Sequence, residues 1–384
     1  MRGIYLHLPF CIRKCSYCDF YSVPASSASV ARFPGLLRKE TTLFRERFPE
    51  DAGTAADTVY FGGGTPTALG PEALCNLLSA VRGSFAVADG AELTTEANPG
   101  TVSAADLTRL RRGGFNRISI GVQSFDDATL RTLGRVHGRE EILRTTRDAR
   151  SAGFGSVGID LIFGIPGQTA ASWREDLERT VELGPSHVSA YALAPEAGTP
   201  IRAALDRGEL RMPSDDETAG FYDAARGILS AAGIGQYEIS NFARPGQECR
   251  HNRKYWNREE YLGFGPSAHG LLFPRGGPPF GLRTANPPSL AGYEATIREN
   301  RIPWAETRPC TLEDAWKESL IFGLRMTEGI DLRAIEEKIG APPPPLGDAV
   351  DRLVLDGLLL RERDRLRLPS RLLFVSNEVF ARLA

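Results

Sequence analysis

Cys11, Cys15 and Cys18 follow one another with the spacing C-x3-C-x2-C, inside the run Tyr5-Leu-His-Leu-Pro-Phe-Cys-Ile-Arg-Lys-Cys-Ser-Tyr-Cys-Asp-Phe20. A complete iron–sulfur cubane takes four cysteines. Three thiolates at this spacing can therefore hold three irons of a [4Fe–4S] cluster and leave the fourth iron open to a small chelating molecule. Zinc is the competing metal, because C-x2-C pairs also ligate zinc and His7 could complete a tetrahedral set. His7, however, lies in an alternating apolar stretch that reads as a strand. The spacing leaves both metals open, and residues elsewhere in the chain favour the cluster.

Something must hold that loop in place. Short β-rich runs recur at Ile4–Leu8, Thr58–Phe61, Glu92–Glu96, Arg117–Val122, Gly158–Phe163 and His187–Ala192. Helical patterns at roughly 30–47, 71–83, 103–112, 139–152, 171–183 and 214–232 lie between or after them. Pro71, Ser103 and Ser172 sit where first-turn or capping residues belong. Alternation of this kind predicts parallel strands joined by right-handed helical crossovers. Six units fall short of a closed eight-fold barrel, so the expected fold is α/β, an open partial (β/α)6 barrel, with its function at the strand C-terminal ends.

That rule gathers the polar residues. The first strand leads into the cysteines, and the second ends in Gly62-Gly63-Gly64-Thr65-Pro66. The third ends at Glu96-Ala-Asn98-Pro99, the fourth at Gln123-Ser124, the fifth carries Asp160 and the sixth ends near Tyr191. The glycine run lacks the G-x-x-x-x-G-K-[ST] pattern of a nucleotide P-loop, but it would let a ligand approach the main chain closely. Asp160 lies among apolar neighbours, where an unpaired carboxylate is costly; Arg135 is its expected partner. Each residue alone could be a polar strand end. As a ring above three cysteines they describe a cofactor pocket.

Composition sets few limits. The chain has 384 residues, a net charge of −2 and 24% charged residues, so bulk charge gives no drive toward nucleic acid or acidic membranes. There is no span-length apolar run and no signal-peptide pattern. Six cysteines in such a length do not read as a disulfide framework, and a reducing, cytoplasmic setting is expected.

The motifs Y-x-H-x-P-F-C-x3-C-x2-C, G-G-G-T-P, G-V-Q-S-F and D-L-I-F-G-I-P-G-Q make the chain resemble the oxygen-independent coproporphyrinogen III oxidase family of radical S-adenosylmethionine (SAM) proteins, from Tyr5 to about Gly270. The resemblance implies a radical SAM barrel with the cluster on Cys11, Cys15 and Cys18 and SAM on the open iron. It implies SAM contacts from Tyr5, Tyr17, Gly63, Gly64, Thr65 and Glu96. Positions Gln123, Arg135 and Asp160 would line a second SAM site or the substrate site. Two departures weigh against oxidase activity: Phe20 stands where the oxidase has a further cysteine, and only four residues precede Tyr5, where the oxidase carries a substrate-covering extension.

Residues 251–256 read His-Asn-Arg-Lys-Tyr-Trp, the H-N-x-x-Y-W motif of a heme-carrying branch of that family. A neutral imidazole can ligate heme iron, and Tyr255 and Trp256 offer flat faces to a porphyrin. His251, Asn252, Tyr255 and Trp256 are thus the candidate heme residues, with Cys249 as an alternative ligand. In the opposing reading His251 and Asn252 only fix a loop, and the two aromatics are core. His7, Cys75, Cys310 and His269 receive no site role; Cys75 reads as core, Cys310 as a surface or interface residue and His269 as part of a turn.

Residues 274–288 are rich in Gly and Pro and read as a loop or linker. Beyond them, helical patterns at about 311–323, 331–338 and 346–357 and a hairpin at 358–369 suggest a small winged-helix-like α+β unit. Its third helix carries Asp348, Asp351 and Asp356 against Arg352, which argues against DNA phosphates and for covering the barrel or docking a partner. The expected division is a barrel over 1–235, a flanking segment over 236–300 and an accessory unit over 301–384.

The leading functional expectation is a heme carrier that delivers its cargo to an acceptor protein and draws on a reductant for its cluster, as a monomer or homodimer without a membrane anchor. The alternatives are a radical enzyme acting on a porphyrinogen and a radical SAM enzyme that modifies nucleic acid.

Overall fold

The computed structural model describes residues 1–384. Its centre is a run of parallel strands: β1 (Arg2–Leu8), β2 (Ala56–Gly63), β3 (Val87–Ala97), β4 (Arg117–Gln123), β5 (Ser156–Phe163) and β6 (His187–Ala192). They pair in chain order, each parallel to the next. The helices are α1 (Ser27–Arg47), α2 (Pro71–Ser84), α3 (Ala104–Gly113), α4 (Arg139–Ser151), α5 (Ala170–Glu182) and α6 (Asp215–Ala231). Ser103 caps α3 and Pro71 opens α2, as expected. On α5 the cap is Thr169, which exchanges hydrogen bonds with Ser172. Because both faces of a parallel sheet are covered, its strands read as apolar runs.

The segment 236–300 is not a simple flank. A short strand β7 (Gly235–Gln236) and β8 (Asn241–Ala243) extend the β6 edge in antiparallel fashion. The chain then forms α7 (Arg250–Trp256) and returns to the opposite edge as β9 (Tyr261–Phe264), parallel to β1. There β10 (His269–Leu272), β11 (Leu282–Ala285) and, after α8 (Leu290–Arg298), β12 (Glu306–Pro309) continue it as antiparallel neighbours. The sheet runs β12-β11-β10-β9-β1-β2-β3-β4-β5-β6-β8-β7 over 12 strands, and its end strands do not pair with each other. The barrel is open, as expected, but has seven parallel strands rather than six.

Two sequence expectations fail here. The proposed linker 274–288 contains β11, and His269, expected in a turn, opens β10. Both strands are only four residues long, so their pattern is too short to show a period; pairing with neighbours decides them.

The C-terminal unit holds α9 (Leu312–Gly323), α10 (Leu332–Ile339), α11 (Pro344–Leu355) and the hairpin β13 (Leu360–Glu362) and β14 (Arg365–Arg367), with Ile330–Asp331 as a third strand. Three helices with a three-stranded sheet match the winged-helix-like expectation. One apolar cluster joins this unit to the barrel, from Ile4 and Phe61 to Leu366 and Phe380. Cys310, expected at a surface or an interface, is buried, and Cys75, expected in the core, is only partly so. No helix is long and apolar enough to cross a membrane.

Candidate functional site

The strand C-terminal ends surround a cavity of about 480 Å³. Cys11, Cys15 and Cys18 line it from the loop after β1, all as free thiols. No group of three or more His, Cys, Asp or Glu side chains is gathered as a preformed single-ion site. Tyr17, Gly63, Gly64, Thr65, Glu96, Gln123, Arg135 and Asp160 line the same cavity.

The glycine run is shaped by the cysteine loop. A Cβ on Gly64 would lie 2.7 Å from the Phe10 carbonyl oxygen and 2.9 Å from its nitrogen. Backbone cannot move aside as a flexible side chain can, so only glycine lets the two segments touch. The Gly64 N–H donates to the Leu8 carbonyl and the Thr65 N–H to the Phe10 carbonyl, 2.8 and 2.7 Å. Gly63 has φ +110° and closes against the ring of His7. That ring is fixed on both sides: Nε2 is 2.9 Å from the Tyr21 carbonyl and Nδ1 is 3.1 Å from the Tyr5 hydroxyl. Nε2–H donates to the carbonyl, so Nδ1 accepts from Tyr5.

This geometry changes the role of Tyr5. Its hydroxyl is spent on His7, and its ring packs beside both Tyr60 and His251, with centroids 6.2 and 6.3 Å away. It supports the wall of the cavity and does not line it.

A polar network reaches the cysteines from three strand ends. Arg135 donates to Cys15 Sγ at 3.2 Å, to Asn98 Oδ1 at 2.6 Å and to the Gly121 carbonyl. Asn98 donates to Thr65 Oγ1 at 2.8 Å, and Thr65 points its hydroxyl at Cys11 Sγ, 3.6 Å away. Arg135 is therefore a partner of a thiol, not the ion-pair partner expected for Asp160. Asp160 instead accepts from Ser119 at 2.9 and 3.1 Å. Burial raises its pKa, moderated by Ser189, Ser119 and the nearby Arg117 and Arg135 charges. Gln123 reaches the cavity from a left-handed backbone, φ +69°, where the register of β4 against β5 slips.

Glu96 accepts from the Tyr60 hydroxyl at 2.8 Å. Burial, with Asp160 nearby, pushes its pKa up to about 7 against the bonds from Tyr60 and the Gly63 N–H. A carboxylate so poised would be drawn to its ionised form by a cationic amine. The floor of the cavity holds residues that sequence reading left out, Thr94, Arg117, Ser119, His187 and Ser189, together with Cys249. Thr94 Oγ1 and His187 Nδ1 are buried there without hydrogen-bond partners. The signal that could have found Thr94, Ser119 and Ser189 is alternation: each is polar and shares a strand face with an expected site residue.

The second sequence motif lies at the opposite end of the barrel. Helix α7 closes the N-terminal end, where the Glu92 carboxylate accepts from the Arg250 and His251 N–H groups at 3.1 and 3.0 Å. Lys254 is buried against Asp57 at 2.8 Å and Glu259 at 2.9 Å. His251 is 1% exposed. Its Nδ1 is 2.8 Å from Thr58 Oγ1 and its Nε2 2.8 Å from the Tyr255 hydroxyl. Burial, then the Lys254 charge, lowers its pKa to about 3. With both nitrogens engaged, His251 has no lone pair for an iron in this arrangement, contrary to the heme-ligand expectation. Tyr255 and Trp256 line a separate 200 Å³ cavity beside α9, where the Arg325 guanidinium stands 4.4 Å over the Trp256 ring. Asn252 alone of the motif reaches the main cavity. Cys249, the alternative ligand, is buried with its thiol 3.5 Å from Glu92, and burial raises its pKa to about 12.

Residues 5–180 match the radical SAM superfamily, and residues 310–374 match the HemN C-terminal domain. The chain is 34% identical to the heme chaperone HemW of Bacillus subtilis, over 99% of this chain and 98% of that protein. It is 37% identical to the heme chaperone HemW of Mycobacterium tuberculosis, over 96% and 91%. Among solved structures, the coproporphyrinogen III oxidase HemN of Escherichia coli, a radical SAM enzyme, superposes with a TM-score of 0.84 at 24% identity, covering 99% of this chain and 89% of that one. At that identity the likeness speaks for the fold. The near full-length identity to the two chaperones goes further: the chain belongs to the HemW family of radical SAM proteins.

Proposed function

We propose that the chain is a heme carrier that holds a [4Fe–4S] cluster on Cys11, Cys15 and Cys18, binds SAM at the open iron, and hands heme to an acceptor protein. The observation that carries the cofactor half is that all three thiols share one cavity with eight of the nine residues expected at SAM or at an adjoining SAM or substrate site. The names of the full-length relatives support the heme half. When bound, the cluster supplies a single electron at the open iron.

The residues divide the work. Gly63, Gly64 and Thr65 present main chain to the ligand and fix the cysteine loop through Phe10. Glu96 accepts the SAM amine. Arg135 and Thr65 donate to the Cys15 and Cys11 sulfurs and so stabilise negative charge on them. Asp160, with Ser119 and Ser189 around it, accepts the ribose or a further polar group of the ligand.

The test is an anaerobic titration of the cluster-reconstituted chain with ferric heme, followed by mixing with an apo-globin as acceptor. Saturable, equimolar binding and transfer to the globin are expected. An absence of saturable heme binding, together with SAM cleavage on addition of a porphyrinogen, would replace the carrier by an enzyme.

A further inference from the structure

The carrier reading leaves the cargo without a seat, because His251 is sealed and the cavity beside Trp256 is too small. Its 200 Å³ lies below the ~300–1,000 Å³ of sites for drug-sized ligands. A groove of about 670 Å³ around Phe48, Ile302 and Trp304 has its cations already engaged. Arg301 pairs with Glu299, and Arg47 lies over Phe48.

The rim of the cluster cavity is different. Phe20 is 65% exposed, and Ile12 and Val136 are each 62% exposed. Of the nine large apolar side chains left exposed on the molecule, these three and Tyr191 belong to this one mouth. Scattered exposed apolar residues need no explanation, but a cluster of them rimmed by charge marks a binding surface. Phe20 and Tyr191 stand on the main cavity, while Ile12 and Val136 line an adjoining pit that shares Arg13, Cys15 and Arg135 with it. Between them stand Arg13 and Lys14, both exposed and in no salt bridge of the structure. Asp19 and Glu196 are also on the cavity lining, so the rim has a basic side and an acidic one.

We infer that heme docks on this rim, its ring edge and face against Ile12, Phe20 and Val136 and its two propionates toward Arg13 and Lys14. The inference rests on the heme-carrier reading and gives it a location. A flat apolar ring with two carboxylates at one edge complements an apolar lip with two free cations at one side. The free cations are missing at α7, where Arg250 and Lys254 are paired with Asp57 and Arg253 with Glu328. Docking on the rim lays the ring across the entrance to the cluster cavity, so that bound heme and access to Cys11, Cys15 and Cys18 are coupled.

The test uses the full, cluster-reconstituted chain and ferric heme as the probe, read by absorbance. The Ile12→Ser/Phe20→Ser and Arg13→Glu/Lys14→Glu variants should each bind heme at least tenfold more weakly than wild type. Iron content and SAM affinity of each variant report that the loop is intact. The charge variant should bind heme dimethyl ester, whose propionates are blocked, as well as wild type does. His251→Gln should bind heme within twofold of wild type. Wild-type affinity in both rim variants would overturn the inference, and so would loss of binding in His251→Gln alone. If the rim variants bind heme normally but their clusters are reduced more slowly by a flavodoxin-type donor, the rim belongs to the reductant and the inference fails. If wild type itself binds no heme, it is the carrier reading that has failed. Should His251→Gln not fold, the rim variants and the ester decide alone.

Discussion

The cysteine loop and helix α7 were the two segments with the most conspicuous chemistry in the sequence, and the fold treats them in opposite ways. At the loop, donors converge on groups that remain open: the thiols are free and partly exposed, and Thr94 and His187 below them keep unpartnered polar atoms. At α7 the polar atoms of the motif are largely spent. Glu92 caps the helix, Thr58 and Tyr255 take both nitrogens of His251, and Asp57 and Glu259 hold Lys254. Buried polar groups that are fully bonded specify a structure; unpaired ones aimed into a cavity ask for a ligand. By that criterion the upper end of the barrel binds, while at the lower end the buried Trp256 Nε1–H is left without a partner and the other polar atoms of the motif close the barrel.

The largest expected effect breaks one side of this contrast and leaves the other standing. Replacing Cys11, Cys15 and Cys18 together by Ala should abolish the iron–sulfur absorbance, measured as iron and sulfide content after anaerobic reconstitution. The thiols are partly exposed and belong to no apolar core cluster, so the thermal midpoint of the cluster-free chain should barely change. Iron retained at the wild-type level would show that the cavity is not the cluster site.

The converse substitution is His251→Ala. It removes a fully buried ring stacked 5.2 Å from Tyr60 and strands the hydroxyls of Thr58 and Tyr255. Losses of about 3–5 kcal/mol accompany truncation of a buried aromatic of this size. Urea unfolding of the cluster-free chain should register that loss, while cluster content of the folded fraction stays at the wild-type value. A variant as stable as wild type would mean that α7 is not the closure described here.

How far the sequence could be read follows the same division. The six strand–helix units were legible because each strand carries an apolar face and several helices open on a capping or first-turn residue, such as Ser103 and Pro71. The residues that line the main cavity were legible because most of them fall at strand ends. The seventh parallel strand, Tyr261–Phe264, was not, since it is four residues long and joins β1 from far along the chain. Arg135 was correctly placed at the mouth, but its partner was mistaken. Sequence gives a charge and its neighbourhood, and only geometry shows that Asn98 and Cys15 reach the guanidinium before Asp160 does. His251 shows a related limit: a histidine beside aromatics looks the same in sequence whether its nitrogens are free or bonded, and here both are bonded.

A pH experiment sharpens the comparison at Glu96. Its folded-state pKa of about 7 lies above the ordinary value of 4.5, chiefly because of burial. The sign follows from linkage: the protonated folded form is favoured below 4.5, and that contribution is lost as pH rises through 7. In the free protein, stability should therefore fall between about pH 4.5 and 7, with Glu96→Gln showing a shallower fall. A cationic amine in the cavity reverses the preference, so SAM binding should release a proton near pH 6.5 and tighten several-fold toward pH 8. Calorimetry in two buffers of different ionisation enthalpy measures that proton. Equal proton release by wild type and Glu96→Gln would remove Glu96 from the amine site.

The smallest expected effect concerns the polar network on the sulfurs. Thr65→Val keeps the shape of the side chain and removes only the hydroxyl that faces Cys11 at 3.6 Å and accepts from Asn98 at 2.8 Å. A donor directed at a ligand sulfur favours the reduced, more negative cluster and so raises its potential. A net hydrogen bond is worth about 1 kcal/mol, which for one electron corresponds to about 40 mV. The midpoint read by EPR-monitored redox titration should therefore fall by no more than about 40 mV, since the contact is long. Arg135→Gln, which removes a charge and the 3.2 Å contact to Cys15, should lower it further than Thr65→Val does. If the order were reversed, the threonine would act through Asn98 and the position of Arg135 instead of through the sulfur it faces, and the open end of the barrel would owe its poise to the same bonded rigidity that closes the other end.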